Sequence, residues 1–494
     1  MRESRIKISF IVIAFCSFIF GCNPNFNKKT DSKKEKAINS LIKNDSTLYS
    51  VKDAMKLHGL KGLSVAVFEN YKIVWTGTWG IKDVETGEPI DGNTAFSTAS
   101  IAKPITATLF AILEEKGLIN LKDPVSNYLK RWKLPESEFL SDTELTFEHL
   151  LSHTAGTTQH GFADFYEGDS IPILVQSLKG QLPRYDEEIS FQWKPGTNWS
   201  YSGGGYVIAQ MAIEDSLGVS LADLAYEYLF QPLALNNTTM KQPNETDFLT
   251  NIAMAHDENG EIVGTGIPIT PQVAPSGLWS TPSDLATFVI EIQNALRNKN
   301  NTVISNKVAK RVTAIVTSKV LGGWSLGWER RYGFGNYDWF SHGGANTGIG
   351  GHIYGTMKDG NGIAFLGNGA NTNRMPVTNQ FRNSIIEANK WYIPIDKSLE
   401  KPMTKELTEM ITGKYIHTLF GEVVEVISGD EGLYIKGFIG NGTNELTFIG
   451  DDTFLIDGSP SKIKIKKNEA DGSLYILLIR NNTNEERVAY RKQF

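Results

Sequence analysis

The chain has 494 residues, more than one average domain, so one large and one smaller domain are the starting expectation. Hydrophobic residues make up 40% and charged residues 21%, ordinary values for a globular protein with a sizeable core. A net charge of −6 argues against a nucleic-acid partner, because phosphate binding depends on clustered Lys and Arg.

The chain begins with a positive stretch, Arg2, Arg5 and Lys7, followed by an apolar run from Ile8 to Phe20. That run is short for a membrane span and reads as a signal peptide over residues 1–21. Ile19-Phe20-Gly21-Cys22 resembles a bacterial lipobox, with Phe20 bulkier than usual. The resemblance implies lipidation at Cys22 and a lipoprotein of the bacterial cell envelope, anchored to a membrane and facing periplasm or cell surface. An ordinary cleaved signal peptide is the plainer alternative. Cys16 and Cys22 are the only cysteines, so the mature fold would carry no cysteine nucleophile and no thiolate metal site. Residues 22–47 are polar and Lys-rich and read as a flexible tether.

A main domain is expected over residues 48–392. Leu63 to Trp75 alternates in a way that predicts a strand pair. A helix is expected from about Ser100 to Lys116, stopped by Gly117, with further helices over Phe147 to His153 and Gly204 to Ser216. Thr281-Pro282-Ser283-Asp284 supplies an N-cap, a first-turn proline and an acidic first turn for another. Gly350 to Met357 and Gly362 to Asn368 read as strands. Strands at both ends and helices between them predict a mixed α/β fold, an antiparallel sheet flanked by helices with an all-helical region.

Residues 393–402, with Pro394 and Pro402, read as a linker. From 403 to 494 the texture changes to short β runs: Val423 to Ile427, Gly432 to Lys436, Glu445 to Ile449, Thr453 to Ile456, Lys462 to Lys466 and Leu474 to Ile479. Turn signals such as Asn441-Gly442 and Asp471-Gly472 separate them, which predicts a small antiparallel barrel or sandwich.

Three boxes carry the chemistry. Ser100-Ile-Ala-Lys103 places a hydroxyl and an ammonium on one helix face. Ser-x-x-Lys alone is weak, since it also starts at Ser4, Ser40, Ser398, Ser459 and Ser461. Only Ser100 opens a strong amphipathic helix, with Pro104 in about its first turn, where a missing N–H costs least. Tyr201 follows a Pro195-Gly196 turn and precedes Gly203-Gly204-Gly205, which lets a substrate backbone approach. His342-Gly343-Gly344-Ala345 opens another glycine-rich stretch, to Gly351. Each box alone is more often structural; their order and company give them weight.

Together the boxes resemble the serine β-lactamase-like hydrolases related to class C β-lactamases, D-alanyl-D-alanine carboxypeptidases and D-aminopeptidases. Ser100 to Lys103 matches the Ser-x-x-Lys box, Tyr201-Ser202-Gly203 the Tyr-x-Asn box, and His342-Gly343-Gly344 the Lys-Thr-Gly or His-x-Gly box. Leu150 to Gly156, Pro195-Gly196-Thr197 and Gly277 to Leu285 are supporting matches. The tail resembles, more weakly, the lipocalin-like β-domains appended to some of these hydrolases. What the resemblance implies is acyl transfer by Ser100. Tyr201 and Lys103 would move protons, His342 would stand in the third box, and the N–H groups of Ser100 and Ala345 would form the oxyanion hole. Gly203, Gly343 and Gly344 would line the substrate. No cofactor is implied, and the partner is a small-molecule or peptide substrate.

A free tyrosine titrates near 10, so a phenolate base would need roughly 4 kcal/mol of preferential stabilisation at neutrality. A neutral histidine at 342 supplies no charge for this. Either Lys103 is the neutral base or the Tyr-Lys pair shares one proton, and a pH optimum above neutrality is expected. Gly203 replaces the family's usual Asn and Gly343 its usual Thr. Those departures predict weak or absent β-lactam hydrolysis and favour ester or peptide substrates. A β-lactamase or D,D-carboxypeptidase, and a binding sensor that does not turn over, are the alternatives. His149 and His153 have helical metal-ligand spacing but lack a third ligand, so no metal site is expected.

Overall fold

The computed structural model describes residues 42–44, 47–181, 187–300, 302–319, 322–332, 337–389, 391, 397–417, 423–429, 432–437, 443–457, 459–469, 472–479 and 486–492. The expected signal peptide, Cys22 and nearly all of the tether lie outside them.

A short hairpin, β1 (Ile42–Asn44) and β2 (Thr47–Tyr49), leads into α1 (Val51–His58). Strands β3 (Gly62–Glu69) and β4 (Lys72–Gly80) are the expected pair. The two-residue strand β5 (Phe96–Ser97) precedes α2 (Ala102–Glu115). The helical region then runs through α3 (Phe147–Leu151), α4 (Leu174–Leu178), α5 (Gly203–Leu217), α6 (Leu221–Ala225) and α7 (Val273–Ser276). After β6 (Trp279–Ser280), which pairs with β5, come α8 (Pro282–Leu296) and α9 (Asn306–Thr313). Strands β7 (Thr317–Lys319), β8 (Gly322–Trp324), β9 (Glu329–Tyr332), β10 (Asp338–Asn346), β11 (Ile349–Thr356) and β12 (Gly362–Gly367) follow, then α10 (Asn371–Ala388).

Eight strands form one antiparallel sheet in the order β4-β3-β12-β11-β10-β9-β8-β7. Both of its faces are covered. Val65, Val67, Ile363 and Phe365 meet Val51 and Met55 of α1 and Val377 and Phe381 of α10. Ala66, Phe68, Ala364 and Leu366 face the other way, toward Phe288, Val289 and Ile292 of α8 and the helical region. This is why Leu63 to Phe68 is continuously buried, Ser64 included, although its side chains alternate.

The tail begins with α11 (Lys405–Ile411) and closes as an eight-stranded barrel: β13 (Gly413–His417), β14 (Val423–Gly429), β15 (Gly432–Lys436), β16 (Thr443–Gly450), β17 (Thr453–Ile456), β18 (Ser459–Lys467), β19 (Leu474–Ile479) and β20 (Glu486–Lys492). Pairing of β13 with β20 completes the closure, which settles barrel against sandwich. The sequence reading found six of these strands and missed β13, β20 and α11. The barrel interior is filled by Tyr415, Val426, Ile435, Phe454, Ile463 and Ile476, among others.

Candidate active site

The helix expected to open at Ser100 opens two residues later, at Ala102. Ala99, in the left-handed region at φ 48°, turns the chain sharply just before the serine. Ala102 N–H then donates to Ala99 O and Lys103 N–H to Ser100 O, a tight turn that brings residues three apart onto one side. Thr98 braces this turn, its N–H and its hydroxyl both donating to Leu278 O at 2.9 Å.

Lys103 is 1% exposed, and its Nζ donates to Ser100 Oγ at 3.0 Å and to Pro275 O at 2.9 Å. Two tyrosine rings flank it, with Nζ 4.7 Å from the centroid of Tyr201 and 5.6 Å from that of Tyr206. Burial brings the Lys103 ammonium down to about 7, and among the described residues no carboxylate holds it up. Neutral and charged forms are therefore both populated near neutrality.

Tyr201 reaches the same point from the start of α5. Its hydroxyl hydrogen-bonds to Ser100, but burial dominates and holds the phenol above its ordinary value. Tyr201 is therefore a proton-bearing phenol at neutral pH. Ser202 caps α5, its Oγ accepting from Gly205 N–H at 3.1 Å. The His153 ring packs 4.3 Å from the Tyr201 ring, and its Nδ1 accepts from Ser202 N–H at 3.1 Å. His149 serves elsewhere, accepting from Thr146 N–H at the start of α3. The His149 and His153 pair is thus spent on two separate structural tasks. Trp324 of β8 closes the cluster, with ring centroids 5.8 Å from Tyr201 and 5.6 Å from His342.

The third wall is β10. Its pairing with β9 ends at Ser341, and from His342 to Asn346 that edge has no strand partner among the described residues. Gly344 presses against the serine turn: a Cβ there would stand 2.0 Å from Thr98 O and 2.9 Å from Ser100 N, so only glycine fits. Asn346 Nδ2 donates to Ser97 Oγ at 2.9 Å and ties the strand's end to β5. His342 is buried, and its Nδ1 donates to Gly343 O at 2.6 Å, leaving Nε2 as a bare lone pair. Burial, and then the neighbouring Lys103 charge, bring His342 down to about 3, so it is a neutral imidazole. Ala345 is exposed at the open edge.

The two positions that depart from the usual boxes are both occupied by neighbours. A Cβ on Gly203 would come within 2.9 Å of the Phe162 ring. A Cβ on Gly343 would come within 2.8 Å of His352 Nδ1, on the face of β10 opposite Gly344. His352 is itself stacked flat on Tyr354, with centroids 4.0 Å apart.

A serine, an amine and a phenol in mutual contact beside an open strand edge match what comparison finds. Over residues 50–385 the chain fits the family model described as Beta-lactamase. The chain belongs to the beta-lactamase family. Within that family, penicillin-binding protein 4* of Bacillus subtilis is 32% identical over 182 residues, 37% of this chain and 38% of that protein. The teichoic acid D-alanine hydrolase of Staphylococcus aureus is 27% identical over 270 residues, 53% of this chain and 63% of the hydrolase. The chain therefore spans less than two thirds of either relative. Two solved structures share the beta-lactamase family fold. The octameric penicillin-binding protein homologue from Pyrococcus abyssi has a TM-score of 0.57 at 19% identity, covering 90% of this chain and 98% of that one. EstCE1, a hydrolase with promiscuous acyltransferase activity, has a TM-score of 0.57 at 18% identity, covering 72% and 98%. These family relatives include β-lactamases and hydrolases of other substrates.

Proposed function

We propose that this protein is a serine hydrolase acting through a covalent acyl-enzyme on amide or ester bonds of small substrates, with D-amino-acid esters and peptides the preferred class. The observation that carries this reading is the buried Lys103 amine, 3.0 Å from Ser100 Oγ and half-neutral near pH 7. Neutral Lys103 takes the proton as Ser100 Oγ attacks the carbonyl. The N–H groups of Ser100 and Ala345 receive the oxyanion, and among the described residues no acceptor takes the Ser100 N–H. Tyr201 hands its proton to the leaving group and recovers one from Lys103. Water then releases the acyl group by the reverse sequence. The D-alanine hydrolase among the relatives supports the substrate class.

Against β-lactams stand the neutral His342, which offers no cation for a substrate carboxylate, and the neighbours filling the places of the missing Asn and Thr side chains. Fluorophosphonate labelling and a p-nitrophenyl ester panel, run with Ser100→Ala, test the reading. Labelling with turnover, both lost in the variant, is expected. Labelling without turnover would make the protein a sensor, and neither would make it structural. Rapid nitrocefin hydrolysis would overturn the substrate class. The same proposal puts the enzyme at the bacterial cell envelope through a lipid on Cys22, supported by Ile19-Phe20-Gly21-Cys22. Cys22→Ala should then move the protein from the membrane to the soluble fraction.

A further inference from the structure

The glycines that follow His342 leave room for more than a substrate. Ala345, Gly350 and Gly367 form one cross-strand row, Ala345 opposite Gly350 and Gly350 opposite Gly367. A Cβ on Gly367 would come within 3.2 Å of Arg374 Cδ, and one on Gly350 within 3.0 Å of Arg374 Nη2. The two glycines thus clear a slot on the α10 side of the sheet, and Arg374, from the first turn of α10, fills it.

Arg374 is 2% exposed, and no carboxylate pairs with it among the described residues. Its Nη1 donates to Gly369 O at 2.8 Å. Its Nη2 donates to Asn371 Oδ1 at 2.6 Å and, at 3.4 Å, to Gly344 O. A buried guanidinium held only by neutral oxygens is an unfavourable arrangement for stability alone. Burial brings it down only to about 10, so it stays charged at neutral pH. The carbonyl it reaches, Gly344 C=O, belongs to the same peptide unit as the Ala345 N–H. A donor on a peptide oxygen strengthens the N–H of that peptide as a donor in turn. The cation also lies behind the point where negative charge would develop during acyl transfer.

We propose that Arg374 is a positioning residue for the acyl-transfer site, holding and polarising the Gly344–Ala345 peptide whose N–H stabilises the oxyanion. This rests on the assignment of Ser100 as nucleophile and Ala345 N–H as oxyanion donor.

The test uses the full chain, p-nitrophenyl acetate turnover and inhibition by phenylboronic acid, which forms a tetrahedral adduct on a catalytic serine. Arg374→Gln should lower kcat about tenfold, short of the 10²–10³ that losing an oxyanion donor costs. Phenylboronic acid should weaken by a similar factor while KM stays within about twofold. Arg374→Lys should recover most of this activity while melting no higher than Arg374→Gln. Asn371→Asp sets a carboxylate against the guanidinium at a helix N-terminus. It should melt at or above the parent temperature, yet lose about threefold in kcat through the weakened polarisation. Equal loss in the Gln and Lys variants, or phenylboronic acid inhibition unchanged in all three, overturns the role. If Arg374→Gln does not fold, Asn371→Asp decides alone, and an unchanged kcat there overturns it. Activity surviving in Ser100→Ala would overturn the site assignment instead, a separate failure.

Discussion

In the proposed mechanism, Lys103 sets the pH behaviour at the scale of a single residue. Its neutral amine is the form able to take the Ser100 proton, and it grows in as pH rises through about 7. We expect kcat/KM on a p-nitrophenyl ester to climb through that pH and level off above it. A profile flat from about pH 6 to 9 would remove Lys103 as the base. The same group shapes stability. Between about 7 and 10.5 the unfolded chain binds a proton that the native Lys103 does not, so stability rises with pH across that window. Below it, the full cost of burying the charge remains. Lys103→Met should therefore abolish turnover, melt higher than the parent at about pH 6, and lose that margin as pH approaches 10. The order of Ser100, Lys103, Tyr201 and His342 was legible in the sequence because each box carries its own local signature. The electrostatics were not. That Lys103 rather than Tyr201 is the group poised to give up a proton follows from burial by Tyr206 and Pro275, which lie far away in the chain.

Among elements, the walls of the site depend on contacts that no local pattern reveals. In the sequence His153 stood in the supporting match Leu150 to Gly156 and as half of a metal-like pair. It lies just past α3, in the left-handed region at φ 61°, where its ring supports Tyr201 and its Nδ1 holds Ser202 N–H, 49 positions away. His153→Ala leaves that buried N–H without an acceptor. It should cost about 1–3 kcal/mol of stability by chemical denaturation and lower kcat more than it changes KM. Gly343→Thr offers the opposite test. Restoring the family's usual side chain should not create β-lactam turnover, because the new Cβ meets His352 Nδ1 at 2.8 Å. It should lower the melting temperature, whereas a nitrocefin-active and stable variant would show that the face was open. Long helices and strands were readable from periodicity and caps, as α8 shows with Thr281, Pro282 and Asp284. The start of α2 was misplaced because the left-handed turn at Ala99 is enforced by β6 and β10, not by its own sequence.

Across the whole molecule, β3 takes its register from β12, with Leu63 opposite Gly367. The helical region and all three boxes lie between these partners. The first long strand thus stays an unfinished edge until nearly the whole beta-lactamase-family domain is available to it. Contacts this distant in sequence slow folding and lengthen the time that strand edges stand exposed. A chain ended before Gly362 should accumulate as aggregate rather than as native protein, which a solubility assay on the truncation would report. Folding of the intact chain from denaturant should be slow, and its yield should fall as protein concentration rises. The strand that joins the two ends of the domain is thus also the step at which the molecule is most exposed to its own copies.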